Sequence, residues 1–95
     1  MDLDGPLRLH PQVALRPESF GALAYHYGNR RLSFLKSPRL REVVEILAEH
    51  ADADAACRAA GVAEEEMPAY RRALATLAAR GMIVTRERVA PEGPA

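Results

Sequence analysis

The spacing of apolar residues changes near residue 37. Before it, apolar and polar positions alternate in short runs; after it, they recur every three or four residues. In "QVALRP" (12–17), Val13 and Leu15 alternate with polar neighbours, which predicts a short strand closed by Pro17. "FGALAYHY" (20–27) and "RRLSFLK" (30–36) flank Gly28-Asn29. A glycine there supplies the positive φ of a tight primed turn, so a two-residue hairpin loop is expected. That loop sets Tyr27 against Arg30, His26 against Arg31, Tyr25 against Leu32 and Leu23 against Phe34. Leu23, Tyr25, Leu32 and Phe34 then share one face, and Ala22, Ala24, His26, Arg31, Ser33 and Leu35 the other. The first set carries the bulkier apolar groups and is expected on the core, which leaves His26 on the surface.

Three helices follow. "SPRLREVVEILAEH" (37–50) has Ser37 as N-cap, Pro38 in the first helical position, and a stripe of Leu40, Val43, Val44, Leu47 and Ala48. "DADAACRAAG" (52–61) is a short Ala-rich helix between an Asp cap and a closing Gly61. "AEEEMPAYRRALATLAARG" (63–81) opens with three Glu, which suit the positive end of a helix dipole, and carries Met67, Tyr70, Leu74, Leu77 and Ala78 on one stripe. Ala69, Ala73 and Ala75 leave its other flanks thin, so a second body could approach closely. Pro68 about a turn inside predicts a kinked or separate first turn. Met82, Ile83 and Val84 continue apolar beyond Gly81. Strands followed by helices make an α+β pattern, a three-stranded antiparallel sheet and then three helices. One domain over 7–86 is expected, with flexible ends at 1–6 and 87–95.

Charge and composition then narrow the function. The chain has 95 residues and a formal charge of zero, 13 basic against 13 acidic. The two halves differ, +4 over residues 1–41 and −4 over 42–95, so the molecule is dipolar. A neutral domain lacks the electrostatic footprint of most nucleic-acid binders. Cys57 stands alone, so there is no internal disulfide framework and no paired-cysteine metal motif. The first ten residues have no apolar signal region, and no apolar run reaches membrane-spanning length. A soluble cytoplasmic protein is expected, with no membrane partner.

No residue set points to catalysis. His10, His26 and His50 fall on different elements without metal-ligand spacing. His26 lacks an orienting carboxylate, and Ser33 and Ser37 lack a base and a nucleophile elbow. Cys57 in its Ala-rich helix reads as a small packed residue. No metal or cofactor is expected. A winged helix-turn-helix DNA-binding regulator is the alternative on topology, with residues 63–80 entering a major groove. Arg71 and Arg72 sit mid-helix, but Glu64, Glu65 and Glu66 hold the end that would meet bases. A binding module is the other reading: strand 30–36 lies at a sheet edge, and an edge can accept a strand from a partner peptide. The same open edge also allows two copies to pair as a homodimer.

The residues resemble a known family. "RLHPQVALRPESFGALAYHYGNRRLSFLKSPRL" (8–40), and within it "LRPESFGALAYHYGNRRLSFLKSP", resembles the mycofactocin-system peptide chaperones. These belong to the wider PqqD-like family of precursor-peptide recognition elements. "AAGVAEEE" (59–66) and "LAARGMIV" (77–84) fit the wider pattern, so the likeness covers residues 7–86. It implies a winged helix-turn-helix-like fold and no catalytic activity. It also implies that the leader of a ribosomally made precursor peptide adds as a strand to 30–36 and lies against the third helix. By element match the implied contacts are Arg31, Leu32, Ser33, Phe34 and Leu35 on the strand, with Tyr70, Arg71, Leu74 and Leu77 on the helix. The implied second partner is a radical S-adenosylmethionine maturase, which receives the peptide.

Overall fold

A computed structural model describes Leu3 and residues 5–86. The elements are β1 (Leu7–Leu9), β2 (Val13–Glu18), β3 (Gly21–His26), β4 (Leu32–Leu35), α1 (Pro38–Ile46), α2 (Ala53–Ala59), α3 (Met67–Ala79) and β5 (Ile83–Thr85). The architecture is α+β: a three-stranded antiparallel sheet in the order β2-β3-β4, followed by three helices. β1 and β5 add a separate two-stranded antiparallel ribbon that joins the two ends of the domain, with Leu7 opposite Thr85 and Leu9 opposite Ile83. Each ribbon strand spans only three residues, too few for an alternating pattern to stand out. Leu3 packs against the core, and Pro6 C=O accepts the Arg86 N–H at 2.9 Å. Residues 1, 2 and 4, and the tail 87–95 expected to be flexible, lie outside the described residues.

The helix starts follow local chemistry. Ser37 Oγ accepts the Leu40 N–H at 3.0 Å, with Pro38 in the first turn where a missing N–H costs nothing. An Asp52 carboxylate oxygen accepts the Ala55 N–H at 2.8 Å. The break expected at Pro68 takes the form of a separate turn: Glu64–Glu66 make a single 3-10 turn, and Pro68 sits in the first turn of α3. Long-range polar contacts tie the helices together. Arg71 forms two hydrogen bonds to the Asp54 carboxylate, at 2.9 and 2.5 Å, joining α3 to α2. That bonding holds the Asp54 carboxyl below its usual range, against the opposing effect of burial. Arg86 reaches back to the carbonyls of Ala48, at 2.7 Å, and His50, at 3.2 Å, which follow the end of α1.

The sheet departs from expectation in two respects. First, the hairpin loop is longer than two residues. His26 N–H donates to Arg31 C=O and Arg30 N–H to His26 C=O, so Tyr27 through Arg30 form the loop. The left-handed residue is Arg30, at φ 62°, rather than Gly28. Gly28 is needed for room: a Cβ there would lie 2.4 Å from Gln12 Oε1 and 2.8 Å from the His26 ring. The pairing is nevertheless the expected one, Tyr25 with Leu32 and Leu23 with Phe34.

Second, the sheet presents its other face to the core. Ala22, Ala24, His26, Ser33 and Leu35 are buried, whereas Tyr25, Leu32 and Phe34 are exposed. The helices supply the bulk and the strands supply the space. α1 packs across β3, and small residues at 22 and 24 let Leu40, Val43 and Val44 come close. Gly21 fixes this arrangement. Its φ is +147°, and a Cβ there would lie 2.0 Å from Leu35 C=O and 2.8 Å from Ser37 C=O, so the start of α1 sits directly on it. His26 is therefore an interior residue and not a surface one. Only 5% of it is exposed, and its Nδ1 accepts the N–H groups of Gly28, at 2.9 Å, and Asn29, at 3.2 Å. The ring reaches under the hairpin loop and pairs two of its backbone donors, which holds the loop in one conformation.

Candidate functional site

β4 is the outer strand of the three-stranded sheet, paired on one side only. Its backbone groups alternate in direction. The His26 N–H donates to the Arg31 C=O, so the Arg31 carbonyl points at β3, and by alternation Ser33 and Leu35 point their N–H and C=O groups at β3 as well. Leu32 and Phe34 point theirs outward. A contact from outside bears this out: Arg80 Nη2 reaches the Leu32 C=O at 2.9 Å.

That edge faces α3 across a groove. A cavity of about 470 Å³ is lined by Leu32, Ser33, Phe34 and Lys36 from the strand side, Leu40 from α1, and Ala73, Thr76, Leu77 and Arg80 from α3 and its end. A smaller hollow of about 180 Å³ continues toward the start of α3, between Lys36, Ser37 and Leu40 on one side and Ala69, Tyr70 and Ala73 on the other. Among the described residues no carboxylate lines either stretch. The floor is open because α3 presents Ala69 and Ala73 here, where longer side chains would fill the space. Beside the groove, Leu32 and Phe34 leave apolar surface open, 46% and 56% exposed, and Phe34 stacks on Phe20 with ring centroids 6.0 Å apart.

The residues singled out from the sequence fall in different places. Leu32, Ser33, Phe34 and Leu77 line the main groove, and Tyr70 lines its extension. Leu35 and Leu74 are fully buried in the core. Arg71 turns away to Asp54, and Arg31 is exposed just ahead of β4. Lys36, Leu40, Ala69, Ala73, Thr76 and Arg80 also line the groove. The signal for Ala69 and Ala73 is present in the sequence as a thin flank of the helix. Lys36 and Arg80 carry none, because only the fold brings the end of α3 beside the end of the hairpin.

Elsewhere the chemistry is structural. Cys57 is buried, and burial together with the nearby Asp54 charge pushes its thiol up, away from the reactive thiolate. His10 and His26 lie with ring centroids 4.3 Å apart, and burial, then His26, then Arg8 lower the His10 pKa. Among the described residues no group of three or more His, Cys, Asp or Glu is placed to hold a metal ion. No helix among them is long and apolar enough to cross a membrane.

Known proteins match over this same region. A family model described as the peptide chaperone MftB family matches residues 6–84. The chain is 54% identical over 86 residues to a protein named peptide chaperone MftB from Mycobacterium ulcerans (strain Agy99), covering 90% of this chain and 79% of the relative. It is 51% identical over 86 residues to the protein of that name from Mycobacterium tuberculosis (strain ATCC 25618 / H37Rv), with the same coverage. A third, from Mycolicibacterium smegmatis (strain ATCC 700084 / mc(2)155), is 53% identical over 83 residues, 87% of this chain and 81% of the relative. No solved structure matches. The family and these relatives are named as peptide chaperones and not as enzymes. The match begins just ahead of β1 and ends inside β5, so it takes in both strands of the ribbon, the sheet, the helices and the groove: the chain belongs to the peptide chaperone MftB family.

Proposed function

We propose that this chain is a chaperone that binds the mycofactocin precursor peptide through its leader, as a strand added to the outer edge of β4, and presents it to a radical S-adenosylmethionine maturase. The observation that carries the reading is the pairing of an open edge with an apolar groove. Leu32 and Phe34 offer backbone donors and acceptors outward, and Leu40, Ala73 and Leu77 stand beside them. An added strand would satisfy the edge with main-chain hydrogen bonds and place alternate side chains against α3. The 13 residues of α3 extend about 20 Å, which matches about six residues of extended peptide. Contacts to the maturase fall to surfaces the peptide leaves uncovered. The recognition unit is taken as residues 7–86.

Calorimetric titration with the full precursor peptide tests the proposal. A dissociation constant of tens of micromolar or tighter, about 6 kcal/mol or more, is expected; no measurable binding at several times that concentration refutes it. Sedimentation of the free and peptide-bound protein distinguishes peptide on the edge from a second copy on it. A dimer that dissociates when peptide is added would mean that both compete for β4.

A further inference from the structure

Arg80 occupies an acceptor that the proposed strand addition needs. Its backbone is fixed at the end of α3, where its N–H donates to Thr76 and Leu77 carbonyls at 3.1 and 3.2 Å. Its own C=O accepts from Asn29 Nδ2 at 3.2 Å, which ties it to the hairpin loop. From there the side chain crosses the groove. Nε donates to Ser33 Oγ at 2.6 Å and Nη2 to the Leu32 C=O at 2.9 Å. One outward carbonyl of β4 is thus capped by a cation in the peptide-free protein.

Among the described residues, the groove lining offers no anion to balance that charge. Its lining includes Arg80 and Lys36 and no carboxylate. While the groove is open, water solvates the guanidinium. A strand lying in the groove displaces that water, and a cation left there without a partner costs free energy. The occupant must also take over the Leu32 carbonyl or leave it to Arg80. A carboxylate on the occupant meets both requirements, because a guanidinium binds a carboxylate through two parallel N–H groups and can hold Ser33 through Nε at the same time.

We propose that Arg80 is a specificity-determining residue that reads an acidic side chain on the bound peptide. On binding, its terminal N–H groups pass from the Leu32 carbonyl to the peptide carboxylate, and the freed carbonyl accepts a peptide N–H. The exchange sets register as well as affinity, since it anchors one acidic residue of the ligand beside Leu32. The inference rests on the strand-addition reading above and adds the chemical class of one ligand position.

A double-mutant cycle tests it. Each Asp and Glu of the precursor peptide is replaced singly by Asn or Gln, and each peptide is titrated into the wild-type protein and into Arg80→Gln. One replacement is expected to weaken binding to wild type about tenfold, the size of a charge-assisted hydrogen bond. The same replacement should change binding to Arg80→Gln by less than about twofold. A second measurement uses the wild-type protein alone: the Arg80 Nε–H NMR signal should move on adding the native peptide and stay near its free position with that one amide variant. The inference is overturned if the precursor binds yet every amide variant binds within about twofold of it, or if the loss is equal in both proteins. Absence of binding by the unmodified precursor overturns the strand-addition reading itself and the inference with it.

Discussion

Replacing Phe34 by proline, with alanine at the same position as its control, isolates the backbone of the β4 edge from its side chains. The alternation set by the His26–Arg31 hydrogen bond points the Phe34 N–H away from β3. Proline there breaks no bond of the native ladder, and it favours the extended conformation that Ser33 already has. Both variants remove the same aromatic ring, 56% exposed in the free protein; only proline removes the outward N–H. The difference between them is therefore one peptide hydrogen bond, about 1 kcal/mol net, or about fivefold in affinity. Ser33→Pro supplies the opposite control. The Ser33 N–H faces β3, and the hydroxyl accepts from Arg80. Its loss strands a buried β3 carbonyl and should cost about 1–3 kcal/mol of stability. The assays are urea denaturation for folding and calorimetric titration with the precursor for binding. Phe34→Pro should fold like Phe34→Ala and bind about fivefold more weakly. Equal affinity for the two would show that the peptide does not pair with this edge, and loss of folding in Phe34→Pro would show that the strand faces the other way.

Two further predictions concern stability. Leu35→Ala should destabilise the fold by about 2–5 kcal/mol, because Leu35 is fully buried, whereas Leu32→Ala at an exposed position should change stability by no more than about 0.5 kcal/mol; denaturation midpoints that rank the two in the reverse order would contradict the direction in which the sheet faces. Protonation of His10 should destabilise the fold, because its folded pKa lies below the ordinary 6.5 and the unfolded chain binds the proton more readily; stability should be full above pH 6.5 and fall as pH drops from there toward the lowered value, and His10→Gln should flatten that part of the profile, a result that an unchanged slope would refute.

Much of the fold was legible because its signals are local. Ser37-Pro38 starts a helix by satisfying one backbone donor and needing none for the proline, whatever packs around it. Asp52 does the same for α2, and Pro68 marks the step from a separate turn into α3. Strand pairing was legible for a related reason: a two-residue and a four-residue loop centred on the same residues keep one register, so Tyr25 meets Leu32 although the loop spans Tyr27 through Arg30. In the candidate site, Leu32, Phe34, Tyr70 and Leu77 followed from matching elements, since an edge strand and the helix beside it can be recognised before their geometry is known.

The sequence by itself determined the order of the sheet strands and helices, their caps, the strand register and the family, but not the short ribbon of β1 and β5. Each of these depends on neighbouring residues or on the residue pattern as a whole. Only the tertiary structure decided which face of the sheet is buried. Side-chain bulk favoured Tyr25, Leu32 and Phe34, but burial follows the surface that the helices can approach closely. That surface is the one with Ala22, Ala24 and the backbone of Gly21 under the start of α1. The same packing drew His26 inward to serve loop N–H groups and left the aromatic face open. It also carried Arg80 across 47 residues of sequence to the Ser33 hydroxyl at the sheet edge. No local pattern encodes a contact of that kind, because it exists only when the end of α3, the hairpin loop and β4 have been assembled against one core.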